Sequence, residues 1–170
     1  MFRTALALTF IVALAGEAAA APQDPVRNIM DAVEHNYTPE IESAEDYFSP
    51  ERLKSIYSRS FAATFEAAAA RAAANDEGVF EADVITNSQD ACTLEDIMIE
   101  VKPAQADFTP VHATFRPFAC MKDGPEKDEV RTVIFMVVEE DGRDVIDDIF
   151  QTDARKQAWS IKEQMDRYGR

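Results

Sequence analysis

The sequence is short of the residues that most metal and nucleotide chemistry needs. It holds two cysteines, two histidines and five glycines in 170 residues. So few Cys and His exclude the common zinc and iron–sulfur ligand patterns. The glycines form neither a P-loop nor a G-x-G-x-x-G turn, and no serine has the G-x-S-x-G context. Cations are scarce as well, with 17 Lys plus Arg against 32 Asp plus Glu and a net charge of −15. A pI near 4.4 argues against nucleic acid and against an anionic membrane surface, both of which are held by positive charge. There are no internal repeats and no low-complexity linker.

What is present begins with an export signal. Arg3 is followed by an apolar run over residues 4–15 and then by Ala18-Ala19-Ala20. The run falls short of the ~18–20 residues that span a bilayer and fits a secretory signal with cleavage before Ala21. No later run is long enough to span. The reading is a signal peptide over 1–20 and one domain over 21–170, exported and soluble, in the periplasm or secreted. Cleavage removes one Arg and one Glu, so the net charge is unchanged. Hydrophobic residues at 46% suffice for a core, and about 150 residues make one domain.

Export changes the meaning of Cys92 and Cys120. An oxidising compartment permits a disulfide, and two cysteines allow one connectivity. Two free buried thiols are the alternative. The spacing is not C-x-x-C, so a redox-active pair is not indicated.

Along the mature chain, Val26, Ile29, Met30, Val33 and Tyr37 form a helical stripe that predicts a helix over 25–36, opened by Asp24 and Pro25. Ser49-Pro50 opens a second helix, predicted to run on through an Ala-rich stretch to about residue 74, with Leu53, Ile56, Tyr57, Phe61, Thr64 and Phe65 on its buried face. Strands are predicted over 92–101, 109–119, 130–139 and 144–150, with Asp141-Gly142 as a hairpin turn. Residues 132–138 are almost all apolar, which predicts a strand covered on both faces. A last helix is expected over 154–167. If residues 101 and 110 face each other across a turn, Cys92 and Cys120 fall within one residue of direct opposition. The fold class is therefore α+β, with helices on one face of a curved antiparallel sheet.

The motifs Tyr47-Phe48-Ser49-Pro50, Ile146-Asp147-Asp148-Ile149 and Trp159-Ser160-Ile161-Lys162, with the stretches 83–90 and 94–101, resemble a family of small exported bacterial proteins of unknown function. That family is similar to the nuclear-transport-factor-two-like superfamily, which implies a cone-shaped, cystatin-like fold. The resemblance covers most of residues 24–167. In the family an aromatic, typically Trp, stands two residues before the first Ile of Ile-Asp-Asp-Ile, where this chain has Asp144. The family carries no established activity, so no catalytic residue transfers.

Four residues stand as ligand-binding candidates: Tyr37, Asp90, Arg116 and Asp148. Adjacent strand residues point to opposite faces, so Asp147 and Asp148 are not expected to form one dyad. Some enzymes of the wider superfamily use cone-lining Asp and Tyr as acid or base. The plainer reading is a carboxylate bonded to a helix end or an arginine. Arg116 is a possible pocket cation, or a partner for Asp148 or Asp90, and a surface salt bridge is the plainer reading. His35 and His112 have no ligand spacing, and no metal or cofactor is expected. The reading is a non-catalytic binding or interaction protein, taking a basic protein partner or a small ligand in its cone. The alternative is a small isomerase-like or dehydratase-like enzyme using a cone carboxylate, and a third possibility is an accessory subunit of an envelope assembly. Oligomeric state is left open.

Overall fold

A computed structural model describes residues 21–152 and 157–168. The signal-peptide reading of 1–20 lies outside the described residues, as do the first residues of the last expected helix. The order of elements is α1 (Gln23–Asn36), α2 (Pro50–Ser55), α3 (Arg59–Ala74), β1 (Glu95–Val101), β2 (Thr109–Arg116), β3 (Arg131–Glu140), β4 (Arg143–Thr152), β5 (Ala158–Ser160) and α4 (Ile161–Arg167). A 3-10 turn over Pro125–Asp128 precedes β3. The five strands form one antiparallel sheet in sequence order. The chain is thus α+β with a meander sheet.

Helix α1 buries Val26, Ile29, Met30 and Val33, the expected stripe. It starts two residues earlier than its Asp24-Pro25 pair suggests. Pro25 sits inside the first turn, where a missing N–H costs nothing, and Asp24 accepts from Ala21 N at 2.9 Å. These side chains share one buried cluster with Phe61 of α3, Val111, Ala113 and Phe115 of β2, Val133, Phe135 and Val137 of β3, and Ile146 and Ile149 of β4.

The expected second helix is two helices. Ser49 caps α2 by accepting from Arg52 N at 3.3 Å, and Ser58 caps α3 by accepting from Phe61 N at 2.9 Å. Between them the backbone is taken by the sheet. Ile146 N donates to Ile56 O at 2.8 Å and Ser58 N donates to Ile146 O at 2.9 Å, a parallel bridge centred on Tyr57 and Ile146. The groups that would continue the helix are already bonded to β4.

The hairpin of β1 and β2 is shifted by one from the expected register. Val101 faces Val111, Glu100 faces His112 and Met98 faces Thr114, because Lys102 N bonds to Pro110 O at 2.9 Å and closes the turn. A bulge follows toward Glu95, with Asp96 at φ 55°. Cys92 and Cys120 lie just past that end at disulfide distance, S–S 1.98 Å and Cα–Cα 5.8 Å. The Asp141-Gly142 turn has φ 53° and 73°, the positive pair that a type I′ hairpin needs.

Strand β3 is fully buried on one face and only partly covered on the other. Val133, Phe135 and Val137 are buried, while Thr132, Ile134, Met136 and Val138 are half-exposed. Residues 158–160 of the expected last helix are not helical. They pair with β4, Trp159 Nε1 donates to Gln151 Oε1 at 2.8 Å, and the helix begins only at Ile161.

Residues 92 and 120 close a loop with a sequence separation of 28. Replacing both cysteines by serine should lower unfolding free energy by about 3–4 kcal/mol, on chain-entropy grounds. Denaturant midpoints of the variant and of the wild type, oxidised and reduced, check this. Equal midpoints for oxidised and reduced wild type would show that the two sulfurs are not joined.

Candidate functional site

The four sequence candidates do not converge. Arg116, at the end of β2, makes a surface ion cluster with Glu95 (3.5 Å), Asp96 (3.2 Å) and Asp128 (3.4 Å). It also donates to Lys127 O at 3.3 Å. Its expected partners Asp148 and Asp90 are not among these contacts. The bulge beside Asp96 and the 3-10 turn bring nearer acids to it. Tyr37, at the end of α1, bonds Thr86 Oγ1 at 3.0 Å, and burial raises its pKa. Asp90 is exposed, and its backbone N–H donates to Ser88 Oγ at 3.2 Å. Tyr37 and Asp90 thus share a loop region around residues 83–90. There Tyr47 also donates to Asp83 Oδ2 at 2.8 Å, and Asp83 Oδ1 accepts from Ile85 N and Thr86 N. Hydroxyls and carboxylates in this region tie α1 and the 45–48 segment to the 83–90 loop.

Asp147 and Asp148 sit at a β-bulge, where the β3–β4 register slips between Met136 and Val137. The slip changes the simple alternation, and both carboxylates reach the start of α4. Asp147 accepts from Ser58 Oγ at 2.6 Å and from Lys162 Nζ at 2.9 and 3.0 Å. Asp148 accepts from Ser160 Oγ at 2.6 Å, Lys162 N at 3.1 Å and Ile149 N at 2.7 Å. Ser160 in turn accepts from Glu163 N at 2.9 Å and caps α4. Both acids are helix anchors in this arrangement. Burial raises the pKa of Asp148, and its three hydrogen bonds and Lys162 oppose that rise.

A groove of about 760 Å³ opens elsewhere, between α2, α3 and the turn joining β3 to β4. Phe48, Leu53, Tyr57, Ala62 and Phe65 are among its walls, with Lys54, Arg59, Glu66, Glu140 and Arg143 also lining it. The break between α2 and α3 creates it. Phe48 packs against Phe65 at 4.7 Å between centroids, and Tyr57 stacks on Phe61 at 4.6 Å. Tyr57 is 3% exposed, and its hydroxyl has no hydrogen-bond partner among the described residues. Burial pushes its pKa far up, so it stays protonated. Sequence reading placed Leu53, Tyr57 and Phe65 on a buried helix face and so missed the groove. Two serines nine positions apart, Ser49 and Ser58, were the available signal of two helix starts.

Among the described residues no group of three or more His, Cys, Asp or Glu is placed to hold a metal ion. No described helix is long and apolar enough to cross a membrane. No protein-family model matches the chain, and no significant match was found among curated proteins or solved structures.

Two predictions follow from these environments. Tyr57→Phe removes a buried hydroxyl with no partner and should stabilise the protein by about 1 kcal/mol. A lower denaturant midpoint for the variant would mean that the hydroxyl has a partner after all. For Asp148 the folded pKa lies above the unfolded one, so the ionised form is the disfavoured form in the fold. That penalty is present at neutral pH and disappears as the pH falls through the carboxylate range. The stability of wild type relative to Asp148→Asn should therefore shift in favour of wild type between pH 7 and pH 4. A difference flat across that range contradicts the raised pKa.

Proposed function

We propose that this chain is an exported, non-catalytic binding protein of the periplasm, with a cone-shaped fold of the nuclear-transport-factor-two-like kind. The observation that carries the binding reading is the groove beside Tyr57. It has the size and the largely apolar walls of a ligand site. Two of the acids that a cone enzyme would use are engaged elsewhere. Asp147 and Asp148 hold the start of α4, and Asp90 is exposed. The inner face of the sheet carries Phe115 and Phe135, both fully buried. The leader-like residues 1–20 and the paired cysteines support export.

A macromolecular partner would be cationic. The net charge of −15 attracts basic proteins over long range and raises their encounter rate, an effect that salt removes. An enzyme that degrades cell wall and carries a basic surface is one such partner.

Expression of the full gene in a bacterial host tests the export half. The mature protein should be found in the periplasm or the medium, begin at Ala21, and contain one disulfide by mass. Material that stays cytoplasmic and begins at Met1 contradicts it. Passing envelope extract over the immobilised mature protein tests the binding half. A basic protein retained at low salt and released at high salt, or a co-purifying small molecule, is the expected outcome. Retention of neither at either salt removes the basis of the reading.

A further inference from the structure

The charged residues at the groove are not all occupied. Arg59 is paired with Asp141 at 2.5 Å and with Glu140, whose carboxylate also accepts from Arg59 N at 3.1 Å. Lys54 and Arg143 make no ion pair or side-chain hydrogen bond among the described residues, and both are exposed. Of the residues lining the groove, the charges left uncommitted are these two cations and Glu66. The balance there is positive on a chain whose net charge is −15.

We propose that the groove takes a small apolar molecule bearing one carboxylate, its body against Phe65, Ala62 and Ala63 and its anionic end between Lys54 and Arg143. This assignment rests on the binding reading above and adds the ligand's chemistry. An apolar body gains by covering Phe65, Ala62 and Ala63, the groove walls that remain accessible. A carboxylate gains a charge-assisted contact from a lysine and an arginine that have no other partner. The acidity of the rest of the chain does not prevent this. At physiological ionic strength charges more than about 8 Å away are largely screened, and the adjacent cations dominate.

The test uses three ten-carbon probes that differ only in the head group, decanoate, decanol and decyltrimethylammonium, titrated below their micelle concentrations by calorimetry. Decanoate should bind about tenfold tighter than decanol, and decanol tighter than the cation. Lys54→Gln with Arg143→Gln should bring decanoate down to the affinity of decanol and leave decanol within about twofold. Lys122→Gln with Lys127→Gln, on exposed residues beyond β2, should change neither. Ala63→Trp, at an exposed groove wall, should weaken decanoate and decanol together, and its far-ultraviolet spectrum and denaturant midpoint show whether it is folded.

Equal binding of decanoate and decanol, tightest binding of the cation, or a preference that survives the Lys54 and Arg143 changes overturns the carboxylate assignment and leaves the groove a binding site. Binding that a folded Ala63→Trp does not weaken places the ligand elsewhere and overturns the assignment too. Failure of all three probes to bind overturns it together with the groove as a ligand site.

Discussion

Two backbone hydrogen bonds to one residue set the arrangement of this protein. Ile146 bonds to Ile56 and Ser58, and in doing so it draws three residues of an otherwise helical stretch alongside β4. The helix stops, Ser58 becomes a cap, and α3 starts in a new direction. Tyr57 is left in the corner between the two helices, with its ring stacked on Phe61. Without that bridge a single helix would continue from Pro50, and there would be no break to open the groove. The same corner reaches further. Ser58 Oγ donates to Asp147, which also holds Lys162 at the start of α4. A helix break, a strand bulge and a helix start are thus joined through one carboxylate.

Such an arrangement spends polar groups on geometry. Asp148 supplies acceptors to Ser160 and to two backbone N–H groups, and its burial disfavours its charge. The strand pair Glu139 and Asp144 places like charges across the ladder, and burial and Glu139 raise the pKa of Asp144. Like charges set opposite one another in a sheet are destabilising. The core of Phe61, Phe115 and Phe135, each fully buried, and the link between Cys92 and Cys120 offset such costs.

Much of the scaffold was legible in the sequence because it depends on local signals. The stripe of α1, the Ser49-Pro50 start and the Asp141-Gly142 turn each come from neighbouring residues, and each is found where expected. The proximity of Cys92 to Cys120 followed from a hairpin register that was wrong by only one. The features that were not legible are those set by distant backbone. Nothing in residues 56–58 alone announces that Ile146 will bond to them, since the local periodicity is helical on both sides. The bulge at Asp147 is likewise a property of two strands together. That Arg116 makes surface ion pairs was legible, but its partners were not, because the bulge at Asp96 and the turn at Asp128, which bring them, leave no clear trace in hydrophobic pattern. The candidate groove inherits the same blindness, since it exists only where the helix is broken.

The bridge at Ile146 also determines how the sheet ends. With β5 on β4 at one end and residues 56–58 at the other, the outer rim of β4 is largely occupied by the chain itself. The opposite rim is β1, and there the backbone is kinked at Asp96 and carries Glu95, Asp96 and Glu100. A kinked, negatively charged border is a poor template for a second chain to extend the sheet. The molecule therefore closes one margin by folding over it and bends the other out of line at Asp96.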